Sequence, residues 1–152
     1  MRITTWTEYS LIISLHLAKR GAAGGGPVAA REIAEQERLP GDYVEQILLR
    51  LRRAGLVESV RGAKGGYFLA KEPGAITMQD IMTASEHQTF ETNCASHPVD
   101  DERCSPGSPC SIRPVWQALQ QRVDELLAGI SLMDLMQHET RVQELVAISP
   151  VS

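Results

Sequence analysis

The chain has 152 residues, 43% of them hydrophobic and 22% charged, a size that allows one domain, or one domain with an arm, around a modest core. No segment has the apolar length to span a bilayer and the N-terminus lacks a signal-peptide pattern, so the expected location is the cytoplasm. The formal net charge of −4 hides a division: residues 1–71 carry 11 basic and 7 acidic groups and residues 72–152 carry 4 and 12, so the acidic total does not exclude a nucleic-acid partner.

Thr5-x-x-Glu8 has the form of a capping box, and the run from Glu8 to Lys19 is rich in Leu and Ile. This predicts a largely buried first helix, ended by Gly21 and the Gly24-Gly25-Gly26-Pro27 loop. A short second helix is expected from Ala30 to Gln36, then a turn at Leu39-Pro40-Gly41-Asp42, where Asp42-x-x-Glu45 is a second N-terminal signature. The third helix, about 43 to 54, repeats Val44, Ile47, Leu48 and Leu51 at i, i+3, i+4 and i+7. Tyr43, Gln46, Arg50 and Arg53 form a separate polar stripe on it. Gly55 stops this helix, and two short strands, 56–60 and 67–69, bracket Arg61-Gly62-Ala63-Lys64-Gly65-Gly66. Three helices followed by a hairpin is the order of a winged helix-turn-helix.

Thr77-x-x-Asp80 opens a further short helix ending near Ala84. Residues 85–110 show no apolar period and hold Cys94, Cys104 and Cys110 among prolines and acids, and so read as a structureless loop. From Ser111 a long helix reaches about Gly129, with Pro114 tolerated in its first turn. Its apolar stripe (Val115, Trp116, Leu119, Val123, Leu126, Leu127, Ile130) needs a partner, either the domain itself or the same helix of a second chain. Ser131-x-x-Asp134 begins a last helix through about Val146. The fold class is therefore mainly α with a small β-hairpin wing. Residues 1–84 form the winged helix-turn-helix, 85–110 the cysteine loop, and 111–152 the dimerisation helix and the final helix.

The third helix anchors its apolar face and presents long donors on the other. Arg can hold guanine and Gln can hold adenine with two hydrogen bonds each, so Gln46 and Arg50 are the candidate base readers. Glu45 accepts from cytosine or caps the helix, Tyr43 binds phosphate or stacks, and Arg53 shares the polar stripe. Arg52 is a phosphate or surface charge. Arg61 and Lys64 sit on a glycine turn that lets the backbone approach a phosphate or a minor groove. The expected partner is double-stranded promoter DNA.

An odd number of cysteines in a reducing compartment argues for a metal or redox role rather than a disulfide framework. His97, three residues after Cys94, offers a zinc alternative with Cys104 and Cys110, and His87 is a weaker candidate. A thiol switch between two cysteines is a third possibility. His16 and His138 read as ordinary helix residues, and Trp6 and Trp116 as packing. No arrangement of nucleophile, base and oxyanion feature supports an enzyme.

Three segments together resemble a known family: Met1-Arg2-Ile3-Thr4; Tyr43 to Leu48 with Leu51 to Val57; and Ser59-Val60-Arg61-Gly62-Ala63-Lys64-Gly65-Gly66-Tyr67-Phe68-Leu69. It is the family of bacterial winged-helix repressors and activators that includes the iron–sulfur regulators IscR and NsrR. The resemblance covers essentially the whole chain and implies a homodimer on pseudo-palindromic DNA. It also implies an iron–sulfur cluster, 2Fe–2S or 4Fe–4S, on Cys94, Cys104 and Cys110. The nine residues between Cys94 and Cys104 exceed the family's usual spacing, and Arg113 stands where some members place a histidine ligand. Another subset draws a carboxylate from the other subunit's first helix, and Glu8 stands at that place. Glu8 is thus either that ligand or the third residue of the Thr5 cap.

Overall fold

The computed structural model describes residues 3–86, 94 and 98–147. Its organising element is α1 (Thr5–Ala22), which buries Ile13, Leu17 and Ala18 and packs against the second, third and fourth helices and the second strand. Helix α2 (Ala30–Glu37) contributes Ile33, and α3 (Gly41–Arg53) contributes Val44, Ile47, Leu48 and Leu51, all fully buried. The predicted period of α3 is thus the one that packs. Strands β1 (Val57–Val60) and β2 (Gly66–Leu69) pair antiparallel, Val57 opposite Leu69 and Val60 opposite Gly66.

The hairpin is joined to the body by a bridge from Val28 to Tyr67, with amide–carbonyl bonds of 2.9 and 2.8 Å in both directions. Gly66, at φ +150°, makes this possible: a Cβ there would lie 2.4 Å from the Val28 carbonyl carbon. Only glycine fits that approach.

A 3-10 turn (Pro73–Ala75) leads into α4 (Met78–Glu86), which runs two residues beyond the expected end. Its start carries the predicted reciprocal cap, with Asp80 N–H donating to Thr77 Oγ1 and Thr77 N–H donating to the Asp80 carboxylate. The long helix α5 (Arg113–Ala128) has no buried residue at all, and Val115, Trp116, Leu119 and Leu126 remain between 37% and 60% exposed. After it the chain returns to the body. Leu132 N–H donates to the Ile76 carbonyl, Met78 N–H to the Ile130 carbonyl, and Leu132 is fully buried in the same core as α3. Burying one such side chain is worth about 1.5–3 kcal/mol.

Three expectations are corrected. The cap of α1 is Thr4, whose hydroxyl accepts from Thr7 N–H, so the Thr5–Glu8 box does not form. Helix α3 starts two residues earlier than a cap at Asp42 allows, with Pro40 at the cap position. The last helix is divided into α6 (Leu132–Leu135), which carries the predicted Ser131–Asp134 capping box, and α7 (Glu139–Val146). His138 caps the second piece by accepting from Thr140 N–H, an interruption that no proline or glycine announces. Among the described residues no helix is long and apolar enough to cross a membrane.

Candidate nucleic-acid interface and cysteine loop

Each residue of α3 turns about 100° around the axis. Opposite the buried stripe therefore lie Asp42, Gln46, Leu49 and Arg53, all exposed. Glu45 and Arg52, also exposed, occupy one flank. Tyr43 and Arg50 occupy the other, and this flank faces α1 and α4. The Tyr43 ring lies 4.9 Å from Trp6 and meets Tyr9 edge-on at 5.7 Å.

Arg50 departs from the expected stripe. Its guanidinium stacks over Trp6, 4.2 Å from the ring centroid, while Nη1 donates to the Ser85 carbonyl. A cation–π contact and a hydrogen bond from a charged donor hold the side chain against the body, not toward the outer face. Periodicity could not foresee this, because both partners come from other helices. Leu49 was missed for a different reason: the helical wheel places it between Gln46 and Arg53, but an apolar side chain was not counted as a reader. Such a side chain suits a thymine methyl.

On the wing, Arg61 and Lys64 are exposed at the hairpin turn. Among the described residues none of Arg50, Arg52, Arg53, Arg61 and Lys64 forms an ion pair with a carboxylate. The basic groups on α3 and the wing are thus uncompensated, as a phosphate-facing surface requires.

Residues 100–108 of the cysteine region form turns that the sequence did not suggest. Cys104 N–H donates to the Asp100 carbonyl at 2.8 Å, and Ser108 N–H to the Ser105 carbonyl at 3.1 Å. Arg103 N–H donates to the Asp100 carboxylate at 2.7 Å. These are successive turns. Arg113, in the first turn of α5, gathers them: its guanidinium donates to the carbonyls of Cys104, Ser105 and Ser108 and to the Ser108 hydroxyl. Nothing in the sequence marked Arg113 as the organiser of the loop.

Cys94, Cys104 and Cys110 are all free thiols and all half-buried. Cys110 precedes α5, and the backbone N–H of Arg113, then that of Ile112, bonds its sulfur. Together with the guanidinium charges of Arg113 and Arg103 they hold its thiol below the ordinary cysteine range. Among the described residues no three His, Cys, Asp or Glu side chains of one chain come together as a metal site. His87 and His97 lie outside the described residues.

Glu8 is exposed in the first turn of α1 and, with Thr4 as the cap, has no capping duty. Beside it, the Thr4 and Thr7 hydroxyls both donate to the carboxylate of Glu86, the last residue of α4 before the cysteine region. The start of α1 and the entry to the loop are thereby joined.

A third helix with an exposed polar face, a basic hairpin and a long helix with an exposed apolar stripe define a winged helix-turn-helix transcription regulator. The family model described as "Rrf2: Iron-dependent Transcriptional regulator" matches residues 3–138, and the chain belongs to the Rrf2 family. The transcriptional regulator IscR of Yersinia pseudotuberculosis is 33% identical over 139 residues, 91% of this chain and 81% of that protein. Among solved structures, CymR, titled the global cysteine regulator of B. subtilis, superposes with a TM-score of 0.71 at 36% identity, covering 90% of this chain and 96% of that one. IscR of T. potens gives a TM-score of 0.70 at 30% identity over 98% of this chain and 93% of that one.

Proposed function

We propose that this protein is a homodimeric regulator in the cytoplasm that binds promoter DNA with an affinity set by an iron–sulfur cluster. On DNA, Gln46 and Arg53 read base edges in the major groove, with Leu49 against apolar base surface and Glu45 at the flank. Arg61 and Lys64 hold the backbone beside the wing. Tyr43 and Arg50 act behind them, fixing α3 against Trp6. The exposed stripe of α5 pairs with its copy in the second subunit, as a wide apolar face on a long helix demands.

One observation carries the cluster assignment: three unbridged, half-buried thiols between α4 and α5, of which Cys94 is helical and Cys110 is biased toward the thiolate that binds iron. The donor set fits. Cys94, Cys104 and Cys110 supply three sulfur ligands, and Glu8, released from capping, supplies an oxygen across the dimer. Bound there, the cluster provides a redox- and nitric-oxide-sensitive group with one weak, exchangeable corner, since carboxylate oxygen is a harder ligand than sulfur. Arg113 sets the spacing of Cys104 and Cys110. The Glu86 bonds to Thr4 and Thr7 tie that region to α1, on which Arg50 and the recognition helix lean.

Anaerobic purification tests the assignment. Stoichiometric iron and sulfide with visible absorbance, lost in Cys104→Ala, is the expected result. Colourless protein lacking both would end it, and would favour a cluster-free switch between two of the thiols.

A further inference from the structure

A cavity of about 680 Å³ opens between the C-terminal end of α1, strand β2 and helix α6. Its volume falls in the range of small-molecule sites, about 300–1,000 Å³. The walls are largely apolar: Leu17, Val28, Tyr67, Leu69, Met133 and Met136. Two methionines facing a cavity give an adaptable lining. The charged groups around it are Arg20 and Lys71 against one carboxylate, Glu72.

Arg20 is built into this wall. A Cβ on Gly25 would lie 2.4 Å from Arg20 Cδ and 2.5 Å from Nε, so the arginine stem lies close against the glycine loop. Arg20 Nη1 donates to Glu32 at 3.2 Å, but Nε is shut off from solvent with no acceptor. The stem and Nε are thus covered, and the outer guanidinium, on a side chain 40% exposed, is the part that can take a carboxylate. Lys71 forms no ion pair among the described residues.

We propose that this cavity binds a small carboxylic acid with an apolar body, its carboxylate on Arg20 and its chain against Met133 and Met136. The assignment does not depend on the cluster or on which bases α3 reads.

The test uses the full chain with 13C-labelled methionine methyls, titrated with decanoate. The Met133 and Met136 resonances are expected to shift with a midpoint below about 1 mM, while those of Met78 and Met82, which do not line the cavity, stay in place. Arg20→Gln, at a side chain 40% exposed and therefore safe for folding, should weaken decanoate about tenfold. Met133→Gln should weaken it too, and decanol should bind about tenfold less tightly than decanoate. Silence of the two resonances at that concentration, equal movement of all four, or equal affinity for decanol and decanoate would overturn the proposal.

Discussion

The guanidinium of Arg50 rests 4.2 Å above the ring of Trp6 and donates to the Ser85 carbonyl. One side chain of the recognition helix thus grips both the first and the fourth helix. Arg50→Ala removes a cation–π contact and a charged hydrogen bond, and should lower stability by about 1–3 kcal/mol. Affinity for specific and random DNA should fall by similar factors, since the helix loosens as a whole. Thermal denaturation with paired titrations checks this. Intact stability with loss of sequence discrimination alone would make Arg50 a base reader after all.

Gln46 and Lys64 should separate reading from holding. Gln46→Ala should cost about 1–3 kcal/mol of discrimination between operator and random duplex, leaving random binding unchanged. Lys64→Ala should weaken both duplexes alike and reduce the slope of log affinity against log salt by about one. Binding titrations across a salt series give both numbers, and interchangeable behaviour of the two variants contradicts the division of labour.

What the sequence revealed and what it hid follow from the range of the interactions. The core stripe of α3 was legible because Val44, Ile47, Leu48 and Leu51 repeat within one helix. The wing was legible because its glycines surround Arg61 and Lys64. Arg50 was not, since its direction is set by Trp6 and by Ser85, 44 and 35 positions away along the chain. At the start of α1, Thr4 and Thr5 offer the same hydroxyl, and pattern alone cannot choose between neighbours. The loop had no period to read, and its order comes from one arginine reaching back over five to nine residues.

Cys110 should ionise at lower pH than an unfolded cysteine, because its thiolate accepts backbone N–H bonds at the start of α5 and faces two guanidinium groups. A depressed value means that the thiolate persists as pH falls below the ordinary cysteine range. Alkylation rates of metal-free protein against pH should show this midpoint below that of the urea-unfolded chain. Arg113→Gln should move it upward. Coincident folded and unfolded profiles would refute the assignment.

Trp116 and Leu119 stay 43% and 37% exposed on α5, although this helix meets α4. If their stripe is the subunit interface, Leu119→Asp buries an unpaired charge there and should yield monomers in sedimentation. Operator affinity should drop with it, because two half-sites are no longer held together. A variant that sediments as a dimer would place the interface elsewhere.

The most direct test of the whole account is operator affinity measured anaerobically on one preparation, before and after a chelator strips its iron. Loaded and stripped protein should differ by about tenfold or more, a coupling of about 1.4 kcal/mol. The difference should vanish in Cys110→Ala. Equal affinities for the two forms, with iron and sulfide verified in the first, would contradict it.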